Sequence, residues 1–251
     1  MTERSSSWER ESLRISAIIP FFNEEEHARA ALTKTANALT SLGTDWEIVA
    51  VDDGSLDKTY RLLRQMALTM GPRIKLARHT RNRGPGQAFA TGFRLAKGDI
   101  IVTLDADLSY HPSQLALLLS KIDAFDIVLG SPFLPRAKTD NSVRPERLLM
   151  SKLATLWYSI LCGKRLSCYT SFFRAYRSHV VKSLRSEFAG FESQVEILAR
   201  SIKLGFTITE VPVRYHASPT HVSKFRLAPE VSHHIRLSAY ILARRLNLKN
   251  Y

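Results

Sequence analysis

The sequence holds little with which to cross a membrane, build a disulfide framework or grip a metal with soft ligands. Its longest nearly unbroken apolar run, LATLWYSILC at 153–162, is about half of the roughly 20 residues that a spanning helix needs. A soluble or peripheral protein is expected. Cysteine is scarce: Cys162 and Cys168 stand six apart with no second pair. That excludes a disulfide scaffold and a cysteine-rich metal site, and points to a reduced, cytosolic compartment. The opening MTERSSSWERESLR lacks an apolar segment, so residues 1–14 read as a loose tail and not as a leader. Repeats and low-complexity tracts are absent. Acid is outnumbered, with 36 Lys and Arg against 23 Asp and Glu and a net charge of +13. Such a balance calls for an anionic partner: nucleic acid, acidic lipid or a phosphorylated substrate. No aromatic-interleaved RNA-binding signature, zinc finger or basic heptad accompanies it, so nucleic acid is not expected.

What is present is alternation. ISAIIPFF (15–22) is a short apolar run ended by proline, and NEEEHARAALTKTANALTSLG follows as a helix with Asn23 as its expected cap. WEIVAVDDGS (46–55), RIKLAR (73–78), DIIVTLDAD (99–107) and FDIVLGS (125–131) read as further strands, each separated from the next by a helical pattern. Their apolar runs are continuous, as in strands buried on both faces. The expected fold is therefore α/β: a Rossmann-like, mostly parallel sheet with helices on both faces. After Ser131 the rhythm changes. A proline-rich loop leads to a helix, an irregular segment, two more helical stretches, the strand FTITEVPVRY (206–215) and a last helix, PEVSHHIRLSAYILARRL (229–246). One domain over 15–228 with a C-terminal basic helix at 229–251 is expected.

In parallel α/β sheets ligands bind beyond the carboxyl ends of the strands. Three acid-bearing segments end there: PFFNE, VDDGS and LDADLS. Asp105 and Asp107 fall on one side of an extended chain. Two hard oxygen ligands together suit Mg²⁺ or Mn²⁺ carrying a diphosphate. The bland alternative is a turn in which Asp107 or Ser109 caps the helix beginning near Pro112.

In this order and spacing, IIPFFNEEE, VDDGSLDKT and GDIIVTLDADLSYHP resemble the family 2 glycosyltransferases of the GT-A fold, and more closely their dolichyl-phosphate mannose synthase branch. RLLMSK (147–152), YTSFFRAYR (169–177), ITEVPVRY (208–215) and VSKFR (222–226) extend the resemblance. It implies that Pro20, Phe22, Glu24, Val51 and Asp53 line a nucleotide pocket. Asp105, Ala106 and Asp107 would hold the metal and sugar-diphosphate, and Lys224 would reach the diphosphate. It further implies an inverting, metal-dependent transfer from a nucleotide-sugar, GDP-mannose foremost and a UDP-sugar as alternative, to a polyprenyl or dolichyl phosphate. Arg147 and Arg174 are the candidates to receive the acceptor phosphate, with a structural pairing as the other reading of Arg174. The pattern is broken in places. Gly130-Ser131-Pro132-Phe133 stands where that branch has an arginine, and Ser218 where it has a second basic residue. Arg136, Arg147, Arg214 and Arg226 are the available replacements.

Two rivals are weaker. GPGQAF (84–89) begins like a dinucleotide fingerprint, but Phe89 replaces its third glycine and it follows the third strand. A simple basic binding module would leave three strand-end acid clusters unexplained. The last helix carries Val231, Ile235, Ala239, Leu242 and Leu246 at helical spacing with Arg236, Arg244, Arg245 and Lys249. It predicts peripheral attachment to the cytoplasmic face of a membrane, or to a membrane-embedded partner protein.

Overall fold

The computed structural model describes residues 13–140, 143, 145–184, 187–216 and 227–246. Its centre is a seven-stranded sheet. The strands in chain order are β1 (Arg14–Phe21), β2 (Asp45–Asp52), β3 (Ile74–Arg78), β4 (Ile100–Thr103), β5 (Ile127–Ser131), β7 (Arg174–Arg177) and β8 (Ile208–Pro212). They lie in the order β3-β2-β1-β4-β7-β5-β8, and a separate ribbon pairs β6 (Lys138–Thr139) with β9 (Arg214–Tyr215). All neighbours in the main sheet are parallel except β7, which runs antiparallel to both β4 and β5.

The period of two along each strand decides which face a side chain serves. Ile15, Ala17, Ile19 and Phe21 of β1 pack with Ile48 and Ala50 of β2 on one face. Ala28, Leu32 and Leu39 of α1 (Ala28–Ser41), Leu63 of α2 (Thr59–Met70) and Leu115 and Leu118 of α4 (Leu115–Leu119) cover that face. Ile18, Val49, Val51 and Ile101 point to the other face. There they meet α3 (Pro85–Leu95), α5 (Pro145–Cys162), α6 (Ser178–Ser183), α7 (Ser193–Lys203) and α8 (Leu227–Leu246). The strands β1, β2, β4 and β5 thus bury both faces, which explains their unbroken apolar runs, while the edge strands β3 and β8 are only partly buried.

Five expectations are corrected. Pro20 does not end β1, which runs on to Phe21. Asn23 caps no helix. It sits at φ 50°, and α1 begins only at Ala28. Arg14, placed in the tail, is the first residue of β1, and its backbone N–H donates to Asp99 at 3.0 Å. The irregular segment after α5 contains β7, and the long strand at 206–215 is divided into β8 and β9.

Candidate active site

The order β3-β2-β1-β4 means that β1 connects outward to β2, while its other neighbour, β4, leads the chain away in the opposite direction. The crevice beyond the carboxyl ends of β1 and β4 is the switch point where such sheets bind ligands. The loop after β1 and the loop after β2 meet there as one unit. Asn23 N–H donates to Ser55 Oγ at 3.0 Å, and Asn23 Oδ1 accepts from Leu56 N–H at 2.9 Å. Glu24 N–H donates to Thr59 Oγ1 at 2.7 Å, and Asp53 N–H to the Phe21 carbonyl at 2.7 Å. The left-handed backbone at Asn23 is what turns its amide toward the second loop, and asparagine adopts that conformation at lower cost than most residues.

Asp53 anchors this unit. Its Oδ1 accepts from His79 Nδ1 at 2.6 Å and from Arg83 N–H at 3.0 Å, and its Oδ2 from Gly84 N–H at 2.8 Å. His79 Nε2 meets Thr91 Oγ1 at 2.9 Å on the far side. The carboxylate therefore ties the arch 79–84, and with it the start of α3, to the end of β2. Gly54, at φ 73°, turns the chain so tightly against Arg81 that a Cβ would meet its backbone. Val51 lies in the core with Ile18 and Phe89, so only its backbone is available to a ligand. Pro20 and Phe22 are half-buried at the rim, and Glu24 is buried with Oε2 3.0 Å from His27 Nδ1.

At the end of β4, Asp105 and Asp107 are half-buried and Ala106 between them is buried. Asp107 Oδ1 accepts from Ser109 N–H at 2.9 Å, closing a turn whose next residue, Leu108, stands at φ 59°. A branched residue in the left-handed region costs about 1–2 kcal/mol. Such a cost is characteristically met at sites of function. The helix-capping alternative does not describe the acids, because the His111 side chain accepts from Ser113 N–H at the start of that helix. Below the turn, Tyr110 stacks on Phe173 and leans on Tyr215. Burial, with smaller contributions from Cys168, Tyr215 and Asp105, pushes its phenol well up, so it stays protonated. Ser109 O accepts from His216 N–H at 2.9 Å, which brings the segment leading to the C-terminal loop onto the same turn.

No group of three or more His, Cys, Asp or Glu fit to hold a metal occurs among the described residues. The donor set of Asp105 and Asp107 fits a hard divalent cation that takes its remaining ligands from water and substrate phosphate, as Mg²⁺ usually does.

Arg174 pairs with Thr103 at the end of β4, but its side chain is committed to the interior. Its guanidinium is 1% exposed and donates to the carbonyls of Gln194 at 2.9 Å and Tyr169 at 2.8 Å. It splints α7 to the segment before β7, and a phosphate would have to displace those carbonyls to reach it. The structural reading holds, with carbonyls in place of the carboxylate expected. Arg147 opens α5 with its side chain outside the described residues, and Lys224, Ser218 and Arg226 lie outside them altogether. Arg136 and Arg214 are exposed. Pro132, where the mannose branch has its arginine, is buried, and Ser131 before it accepts from Ser167 Oγ at 2.6 Å.

One cluster escaped sequence reasoning. Glu192, Ser193 and Gln194 are buried, and among the described residues Glu192 Oε2, Ser193 Oγ and Gln194 Oε1 have no hydrogen-bond partner, though His233 Nδ1 lies 3.7 Å from Glu192 Oε2. They lie at the start of α7, whose preceding loop accepts from Gly86 N–H at the start of α3 through Ala189 O.

Comparison with known proteins agrees with this geometry. The model of Glycosyl transferase family 2 matches residues 16–185. The chain belongs to that family. Among its curated family 2 relatives is the polyprenol monophosphomannose synthase of Mycolicibacterium smegmatis, 32% identical over 222 residues, 86% of this chain and 82% of the relative. The undecaprenyl-phosphate 4-deoxy-4-formamido-L-arabinose transferase of Edwardsiella ictaluri is 34% identical over 82% of this chain. The chain spans 61% of that relative's length. Glucosyl-3-phosphoglycerate synthase from Mycobacterium tuberculosis superposes with a TM-score of 0.68 at 20% identity, over 93% of this chain and 80% of that one. The family 2 chain therefore has the GT-A fold. The same synthase has been crystallised with Mn²⁺ and uridine-diphosphate.

Proposed function

We propose that the protein is an inverting glycosyltransferase that moves a sugar, mannose foremost, from a nucleotide-diphosphate sugar to a polyprenyl phosphate. The observation that carries the reading is the strained D-x-D turn at the switch point, facing the joined loops after β1 and β2. The acceptor class is supported by two relatives whose names specify a polyprenol or undecaprenyl phosphate.

The loops after β1 and β2 orient the nucleotide, with Phe22 and Pro20 as apolar rim and Glu24 behind them. Asp53 holds the arch that closes the pocket and leaves a carboxylate lone pair for the base. A divalent ion held by Asp105 and Asp107 would neutralise the departing diphosphate. Lys224 would add a point charge to the same oxygens. An acceptor phosphate is already ionised near neutral pH, so its attack on the anomeric carbon needs no general base from the chain. Arg147, at the mouth of α5, remains the candidate to position that phosphate.

A second donor class is favoured by one feature. Pro132 stands where the mannose branch has its arginine, and a proline offers a phosphate no charge. A UDP-sugar, whose smaller base and different sugar need other contacts, suits such a site. Calorimetric titration with GDP and UDP, with and without Mg²⁺, tests the reading. One nucleotide should bind at least tenfold tighter with Mg²⁺, and Asp107→Asn should remove the metal effect. Equal binding with and without the cation in both proteins would contradict it.

A further inference from the structure

The helix α5 turns the wrong way for a soluble protein. Leu149, Leu153, Leu156, Trp157 and Ile160 recur at intervals of three and four residues and so form a single stripe. All five are exposed, at 58, 57, 61, 50 and 61%. The opposite side of the helix, Tyr158 and Leu161, is the buried one. On the neighbouring α8, Leu237 and Ile241 are buried while Ile235, Ala239 and Leu242 are exposed. The two helices are locked together by Trp157 Nε1, which donates to Ser238 Oγ at 2.9 Å, and by Tyr158 Oη against His234 Nδ1 at 2.7 Å.

Cations surround the stripe. Lys152 and Arg165 are exposed, and Arg236 is exposed on α8. No Asp or Glu occurs between Arg147 and Ser186, nor after Glu230. Beside the stripe runs a groove of about 650 Å³ lined by Lys152, Ser159, Arg165 and Ser167 together with Leu156 and Ile160. Ser167 bonds Ser131 at the carboxyl end of β5. β5 runs parallel to β4, through β7. The groove therefore reaches the sheet edge that carries Asp105 and Asp107.

We infer that α5, more than the C-terminal helix alone, is the surface by which the protein docks on an anionic bilayer. The stripe enters the interface, and Lys152 and Arg165 meet headgroup phosphates at the groove. An apolar face this large with a rim of one sign matches an interfacial helix. The inference deepens the proposed function, since it brings the site to an acceptor that cannot leave the membrane, yet its test needs no acceptor.

Full-length protein is floated with vesicles of phosphatidylglycerol and phosphatidylcholine, and separately of phosphatidylcholine alone, at low salt. It should float with the first. In a Trp8→Phe background brominated lipid should quench its fluorescence, and adding Trp157→Phe should remove that quenching, because the remaining Trp46 is buried. Leu153→Glu and Ile160→Glu should abolish flotation. Both sites are solvated, so melting temperature and nucleotide affinity should stay unchanged. Lys152→Gln and Arg165→Gln should each weaken binding to anionic vesicles about fivefold. Leu153→Glu should still act on a short, water-soluble prenyl phosphate. Failure of all prenyl phosphates with flotation intact would strike the proposed function alone. Flotation of Leu153→Glu like the parent, or a dimer that Leu153→Glu dissolves while no form binds vesicles, would overturn the inference.

Discussion

Glu47 and Asp53, both buried, stand near opposite ends of β2 and are held by opposite kinds of partner. Glu47 takes Arg14 Nη2 at 2.8 Å, Lys75 Nζ at 2.7 Å, Ser16 Oγ at 2.7 Å and Lys97 N–H at 2.7 Å. Burial alone would push its carboxyl up, but the hydrogen bonds from Lys75, Ser16 and Lys97 outweigh it and hold it below the ordinary 4.5. A depressed folded value stabilises above the unfolded pKa and is lost as pH falls through the folded one. Glu47→Gln should therefore cost about 3 kcal/mol at neutral pH, the low end for breaking a buried pair. The deficit should shrink below about pH 4.5, read from urea midpoints across pH. An equal deficit at pH 3 and pH 7 would contradict this. Asp53 is held by backbone N–H groups and His79, beside the cleft proposed for the nucleotide. Asp53→Ala leaves buried donors unpaired, each costing about 1–3 kcal/mol. It should lower both the melting temperature and the nucleotide affinity, measured by scanning calorimetry and titration. Asp105→Asn and Asp107→Asn face the cleft and should differ from it. Transfer should fall at least about 100-fold, the scale of one lost electrostatic contact to the transition state, while the melting curve stays within a degree or two.

At the scale of elements, packing decides what the sequence could not say. Gly92 of α3 lies so close to Ile18 of β1 that an added Cβ would strike its Cγ2. Gly92→Ala should destabilise by about 1–3 kcal/mol through overpacking, despite alanine's better helix propensity. A more stable variant by denaturant titration would show that α3 can slide. The parallel strands were legible because their runs are long, apolar and punctuated by Gly, Pro and Asp. β7 was not, because its four residues, RAYR, carry two arginines, and nothing local reveals that Arg174 is satisfied by the carbonyls of Tyr169 and Gln194. The three strand-end acid motifs were equally plain, since the loops that carry them are set by their own strands. What Asp53 does with its oxygens was not, because its partners come from 26 to 31 residues away. The apolar stripe of α5 was read as a run too short to span. Only its orientation, fixed by Tyr158 and Leu161 turning inward, makes it a surface.

The whole molecule joins the cleft proposed for a nucleotide-sugar, beyond the carboxyl ends of β1 and β4, to a basic, apolar flank built from α5 and α8. No helix among the described residues is long and apolar enough to cross a membrane. The net charge of +13 suits the two anionic partners proposed, a bilayer at that flank and a diphosphate at the cleft. The account rests on the sugar passing from a nucleotide to a lipid phosphate. The direct test incubates the full-length protein with radiolabelled GDP-mannose, and in parallel UDP-glucose and UDP-N-acetylglucosamine, with Mg²⁺ and a polyprenyl phosphate in anionic vesicles. Label should enter the organic phase from one donor, GDP-mannose foremost, and chelator or Asp107→Asn should prevent it. Label that stays in the aqueous phase with every donor, while the nucleotide still binds, would contradict the account.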